Sequence, residues 1–219
     1  MERLTFEGAV IRSITAGPLM TNYYVVGCTK TGEAAVVDAG FAGDRILAMA
    51  DEEGLRVEKI LQTHAHIDHV AALGEVVAAT SAPVYLHPDD APLYDAAPQQ
   101  GRFFGYDVAP LPPVSELLTD GQRIAIGELT CEVMLLPGHS PGSVAFWFEA
   151  LGVALSGDVL FAGSMGRVDL PGSDPGAMKR SLRRLQDTLP DNTLILSGHG
   201  PQTTMGMESK RNPFLLQSW

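Results

Sequence analysis

The chain has 219 residues, 45% of them hydrophobic and 19% charged, and carries a formal net charge of −11. Its length gives room for a sizeable core, and its acidic balance argues against nucleic acid as a partner, since that affinity rests on clustered Lys and Arg. No apolar run reaches the length of a membrane-spanning helix, and MERLTFEGAV has neither a basic start nor an apolar stretch behind it, so the expectation is a soluble, cytoplasmic protein that acts on a small molecule, with no membrane partner.

In chain order, RLTFEGAVIRSI, NYYVVG and EAAVVDAG read as successive strands divided by Gly-containing turns. GDRILAMADEEG sets Ile46, Leu47 and Ala50 at helical spacing and stops at Gly54. VEKILQT predicts a strand, followed by a helix over roughly 69–79, and PVYLH predicts another strand. The proline-rich stretch 88–116 reads as an irregular excursion over the surface. Strands follow near 122–126, 130–136, 143–148 and 152–156. DPGAMKRSLRRLQDTLP then predicts a long amphipathic helix with Met178, Leu182, Leu185 and Leu189 on one face, and TLILS a last buried strand. Cys28 and Cys131 match no Cys-x-x-Cys pattern and read as small buried apolar residues. Strands dominate both halves, each closed by helices, which predicts two sheets packed together with helices outside, as a single domain over 1–219.

The chemistry gathers at QTHAHIDHV, residues 62–70, where His64, His66, Asp68 and His69 fall within six positions. Downstream, MLLPGHS, ALSGDVL and LILSGHG each run from an apolar strand through a glycine into a candidate ligand: His139, Asp158 and His199. A glycine at that place lets the backbone turn sharply at the strand end. A catalytic ion with an open position needs only three or four such ligands, so seven suit two ions sharing a carboxylate. His64 and His66 lie two apart on an extended segment and point the same way. They are assigned with His139 to one ion, Asp68, His69 and His199 to the other, and Asp158 between them. Asp68 and Asp158 are therefore the candidate catalytic groups. Zinc suits this donor set best, and iron or manganese is also accepted by it. His87, in VYLHPDD without a preceding glycine, reads as a local hydrogen-bonding residue.

The run THAHIDH matches the H-x-H-x-D-H signature of the metallo-β-lactamase superfamily, and GHS, GD and GHG follow in that family's order, so nearly the whole chain resembles that superfamily. The resemblance implies an αββα sandwich, two packed mixed β-sheets with helices on the outer faces and metals at one edge. It also implies a supporting role, not a ligand role, for Asp38 in VVDAG. GDVLFAGSMGRVDLPGSD and the tail GHGPQTTMGMESKRNPFL resemble the short, single-domain members of the glyoxalase II-like branch. That implies hydrolysis of S-D-lactoylglutathione or related acyl thioesters by attack of a metal-bridging hydroxide on the carbonyl. Twenty residues follow His199, whereas the long enzymes add a helical domain that binds glutathione, so the hydrolytic centre carries over and that glutathione site does not.

Three rival functions stay open. Persulfide dioxygenases resemble this chain and hold one iron through residues matching His64, His139 and Asp158. A lactone or other ester hydrolase would use the same centre with a different pocket, and a non-catalytic metal-binding scaffold would need only part of the ligand set. Arg167 is the candidate clamp for a substrate anion, with a loop ion pair as its alternative. Tyr23, Tyr24 and Phe161 read as pocket-lining or core aromatics.

Overall fold

The computed structural model describes residues 1–216, which fall into two units. The first takes Met1–Leu118 with Ala125–Thr130. Its apolar segments form seven strands in one sheet, in sequence order across the sheet: β1 (Glu2–Phe6), β2 (Ala9–Ala16), β3 (Thr21–Cys28), β4 (Glu33–Val37), β5 (Arg56–Leu61), β6 (Val84–Leu86) and β7 (Glu116–Leu117). The first four pair antiparallel through short turns. From β4 onward the pairing is parallel. Parallel neighbours need crossovers, and helices supply them. α1 (Gly43–Glu52) links β4 to β5, while α2 (Ile67–Val70) and α3 (Leu73–Thr80) link β5 to β6. Ile46 and Met49 of α1 and Leu73 and Val76 of α3 are buried in one cluster with Val25, Val36 and Ile60 of the sheet. Each such side chain contributes about 1.5–3 kcal/mol of burial. The parallel run carries the chemistry, because the segments leaving β4, β5 and β6 emerge at the same edge.

Two expectations for this unit need correction. The helix expected over roughly 69–79 is broken in two, and hydrogen bonds explain the break. The carbonyl of His69 accepts from Ala39 N at 2.8 Å and Ala72 N donates to Ala39 O at 2.9 Å, so the segment after β4 takes up groups that a continuous helix would use. The stretch 88–116 is irregular only in part. A 3₁₀ turn at Pro88–Asp90 leads into α4 (Ala91–Asp95) and α5 (Ala97–Phe103). Each of these three has a proline in its first two positions, where the missing N–H is no loss and φ is already helical.

The second unit takes Thr119–Ile124 and the described residues from Cys131 onward. The sheet to which it belongs runs β15-β14-β11-β10-β9-β8, formed by β8 (Arg123–Ile126), β9 (Leu129–Leu135), β10 (Val144–Phe148), β11 (Val153–Gly157), β14 (Leu194–Ser197) and β15 (Thr203–Thr204). Between β11 and β14 come the small hairpin of β12 (Leu160–Phe161) and β13 (Ser164–Met165), and then α6 (Pro175–Thr188). The α6 face expected from the sequence is the buried one: Met178, Leu182, Leu185 and Leu189 cluster with Met134, Ala145, Ala154 and Ile195. Asp174 caps this helix by accepting from Ala177 N at 3.0 Å. The chain continues through α7 (Met205–Arg211) and α8 (Pro213–Leu216). The hairpin, β15 and the last two helices had no clear sequence signal. Cys28 and Cys131 are free and buried, and burial pushes the Cys131 thiol up to about 12. Among the described residues no helix is long and apolar enough to cross a membrane.

Candidate metal centre

In the first unit the site is built from Asp38 outward. Asp38 follows β4 with φ at 61°, a left-handed conformation that Asp tolerates better than most residues. The turn aims its carboxylate at the next parallel strand. Oδ1 accepts from Thr63 N at 2.8 Å; Oδ2 accepts from the Thr63 hydroxyl at 2.8 Å and from His69 Nδ1 at 2.7 Å. The single Thr63 hydroxyl proton is thereby used on Asp38. In the 3.0 Å pair between Thr63 Oγ1 and His64 Nδ1, the ring must therefore be the donor. One buried carboxylate thus fixes Nδ1–H on both His64 and His69, which turns Nε2 of each ring to the ligand side.

The rest of the run is held as firmly. His66 is half-buried, extended, and meets His64 edge-on with ring centroids 4.9 Å apart. Asp68 and His69 lie in the single turn of α2. Thr21 Oγ1 donates to Asp68 Oδ2 at 2.7 Å, and Tyr23 Oη donates to the Asp68 carbonyl at 2.9 Å while accepting from Phe41 N at 3.1 Å. Tyr23 is therefore a core residue behind the site, not a pocket wall; Tyr24 is also buried. Gln100 of α5 brackets the loop backbone, accepting from Ile67 N at 3.1 Å and donating to Ala65 O at 3.2 Å; Asp90 accepts from Ala65 N at 2.9 Å. Within this unit, ligand atoms of the pairs His64–His66, His64–His69 and Asp68–His69 lie within 4.8 Å of one another.

The second unit assembles the other three candidates. Gly138 has φ of 148° and Gly157 φ of 48°, so the glycines before His139 and Asp158 are needed for their backbone. Gly198 is not among the residues with positive φ, and its place before His199 has no such requirement. His139 Nδ1 donates to the Arg167 carbonyl at 2.8 Å, which again directs Nε2 to the ligand side. Asp158 Oδ2 lies 3.5 Å from His139 Nε2 and 3.3 Å from His199 Nε2. His199 packs edge-on against Phe161, with centroids 5.8 Å apart.

Those spacings test the fit of a metal. Ligand atoms about 2.0–2.2 Å from an ion in tetrahedral array sit about 3.4 Å from one another. The separations are 3.5 Å and 3.3 Å around Asp158 and 3.5 Å between His69 Nε2 and Asp68 Oδ2. With Nδ1 engaged by Asp38 at His69 and by the Arg167 carbonyl at His139, Nε2 is the ring atom that faces the carboxylate in both places. The donors fit.

Other candidates divide. The Arg167 guanidinium forms a bidentate pair with Asp169 at 2.6 and 2.8 Å and is exposed; its carbonyl accepts from His139 Nδ1. His87 accepts from Asp89 N at 3.3 Å as a helix cap, as expected. Thr21, Thr63, Asp90 and Gln100 were missed. Thr63 had a signal in its place beside His64, whereas the other three act across long sequence separations.

A model of the metallo-beta-lactamase superfamily matches residues 16–199, a span that contains all seven donors. The chain belongs to that superfamily. The αββα class expected from the sequence is the family's fold, and the family and the donor clusters together indicate divalent metal ions. Hydroxyacylglutathione hydrolase GloC of Haemophilus influenzae is 33% identical over 189 residues, 83% of this chain and 87% of GloC, which supports the glyoxalase II-like branch. Among solved structures, TTHA1623 in a di-iron-bound form aligns with a TM-score of 0.86 at 44% identity, covering 93% of this chain and 100% of that one. The BLEG-1 B3 metallo-beta-lactamase aligns with a TM-score of 0.87 at 38% identity, covering 94% and 100%.

Proposed function

We propose that this superfamily member hydrolyses acyl thioesters, S-D-lactoylglutathione or a relative of it, with two divalent ions, zinc by preference. The observation that carries the reading is the donor set, with Nε2 of His64, His69 and His139 directed to the ligand side and carboxylate oxygens at metal-sharing distances from histidine nitrogens. His64, His66 and His139 would hold one ion, Asp68, His69 and His199 the other, and Asp158 would be shared. What such ions supply when bound is acidification of water and polarisation of a carbonyl. Asp38 and Thr63 orient the rings throughout, and Thr21 holds the Asp68 carboxylate. As water oxygen bonds to the thioester carbon it gives up a proton to solvent, the C–S bond breaks, and sulfur leaves with its electron pair as a thiolate, a good leaving group that needs no general acid; the other product is the free acid. The reading places the reaction in the cytoplasm on a small molecule, with neither nucleic acid nor membrane as partner. The relationship to GloC supports the substrate class, and the di-iron form of TTHA1623 supports the metal count.

Elemental analysis of the purified chain, run with a substrate panel, tests this. About two ions per chain and chelator-sensitive thioester hydrolysis are expected. One ion or fewer after reconstitution would sink the binuclear centre. Because BLEG-1 is described as a B3 metallo-beta-lactamase, the panel includes a β-lactam and a lactone. Cleavage of either without any thioester activity would replace the proposed substrate class.

A further inference from the structure

The tail of the second unit holds a polar cluster with no part in the chemistry so far. Glu208 on α7 is buried, and its carboxylate accepts from Gly163 N at 2.8 Å, Thr203 Oγ1 at 2.6 Å and Asn212 Nδ2 at 2.8 Å. Asn212 is fully buried, and Nδ2 also donates to Ser164 O at 2.9 Å and Phe161 O at 3.3 Å. Three of these partners, Phe161, Gly163 and Ser164, belong to the β12–β13 hairpin. Burying a carboxylate among neutral donors is a poor way to gain stability, since an apolar pair of similar volume would pack without the desolvation cost. What such a network gives is a fixed geometry.

The hairpin and the two residues that follow it, Gly166 and Arg167, touch all three donors of this unit. The Phe161 ring lies against His199. Gly166 passes so close to Asp158 that an added Cβ would sit 1.8 Å from the Asp158 carbonyl oxygen. Arg167 O takes the His139 Nδ1 proton.

We infer that Glu208 and Asn212 are positioning residues, which clamp the β12–β13 hairpin and through it set the orientation of His139, Asp158 and His199. The inference rests on the proposed hydrolase only for its consequence in turnover.

The test is ring N–H exchange, read by NMR on the full chain labelled with ¹⁵N-histidine and loaded with zinc. Asn212→Ala is expected to speed solvent exchange of the His139 Nδ1 proton by about ten-fold or more, while the His69 Nδ1 proton, held by Asp38 in the other unit, stays within about two-fold. Thioester kcat should fall about ten-fold with KM within about three-fold. An unchanged His139 proton overturns the inference, and so does equal acceleration at both rings, which would mean general loosening. If Asn212→Ala does not fold, Glu208→Gln decides by the same comparison. It keeps the shape but weakens the charge-assisted bonds, and about three-fold acceleration at His139 alone is expected. A chain that shows the ring effect but cleaves no thioester sinks the hydrolase and leaves the clamp standing.

Discussion

The two units hold their candidate ligands by opposite means. The first draws four donors from the run 64–69, and a single side chain, Asp38, orients two of them directly or through Thr63. The second draws three donors from positions 139, 158 and 199, each at a separate strand end, and holds them by a backbone carbonyl and by a hairpin with the two residues after it, Gly166 and Arg167. Contiguous donors can be governed by one buried residue. Scattered donors need a structural element that reaches each of them.

The strongest way to break this comparison is to remove a donor from the scattered set. Asp158→Ala should reduce metal-dependent thioester hydrolysis about 10⁴-fold, about 5 kcal/mol of barrier, with loss of bound metal by elemental analysis. His199→Ala should cost about 10³-fold by the same assay. Loss of less than ten-fold at Asp158 would remove it from the centre. Oxygen uptake with glutathione persulfide that survives His199→Ala would replace the hydrolase by a mononuclear iron oxygenase using His64, His139 and Asp158.

Both units nonetheless share one device. A Cβ built on Gly40 would lie 1.8 Å from the Asp68 carbonyl oxygen, and one on Gly166 would lie 1.8 Å from that of Asp158. Neither glycine has a positive φ, so space, not conformation, excludes a side chain. Gly40→Ala and Gly166→Ala should each destabilise by about 3 kcal/mol, lowering Tm by on the order of 10 °C in calorimetry. The Gly166 Cβ would also meet His139 Cγ at 3.2 Å, so Gly166→Ala should loosen metal binding beyond its effect on Tm. Two variants with wild-type Tm would show that the close passages are not real constraints.

This device marks the limit of what the sequence reveals. All seven candidate donors stand out in the sequence because a short-range pattern marks them, an apolar strand leading to a turn and then a candidate ligand. The α6 face was legible for the same reason, since one helix carries the whole pattern. Thr21, Asp90, Gln100, Glu208 and Asn212 were not. Each acts on residues distant in sequence, and as isolated polar residues they look no different from solvated ones. The break in the helix after His69 is not visible locally, because Ala39, from another loop, takes its backbone groups. The helices within 88–103 are hidden in the sequence because a proline that opens a helix looks there like one that breaks it.

A milder change separates orientation from ligation. Asp38→Asn keeps the shape of the side chain but offers one acceptor oxygen where Thr63 N, the Thr63 hydroxyl and His69 Nδ1 all donate. The amide N–H₂ must oppose at least one of them, so the tautomers of His64 and His69 lose their common anchor. Metal affinity, measured by chelator competition, should weaken about 10- to 100-fold. An affinity equal to wild type would mean that the contiguous run orients itself.

The smallest expected effect asks whether the edge of the first unit is independent of its site. Glu53 accepts from Arg3 at 2.8 and 3.0 Å and from Arg12 at 2.6 Å, and these guanidinium groups, Arg3 first, hold its carboxyl down at about 2. The folded value lies below the unfolded one of about 4.3, so the pairing stabilises fully above that range and its contribution fades as pH falls toward about 2. With Arg3 half exposed at 52%, solvent screening reduces the contribution to about 1 kcal/mol. Glu53→Gln should therefore be less stable than wild type by about 1 kcal/mol at neutral pH, and the gap should close between about pH 4 and pH 2 in urea titrations. Acid also protonates the histidine and aspartate donors, but equally in both proteins, so the difference isolates the pair. Metal affinity at neutral pH should be the same in both. A gap that stays constant to the lowest pH would show that the pair does not carry the effect. A loss of metal in the variant would mean that the first unit transmits strain from its edge to His64 and His69.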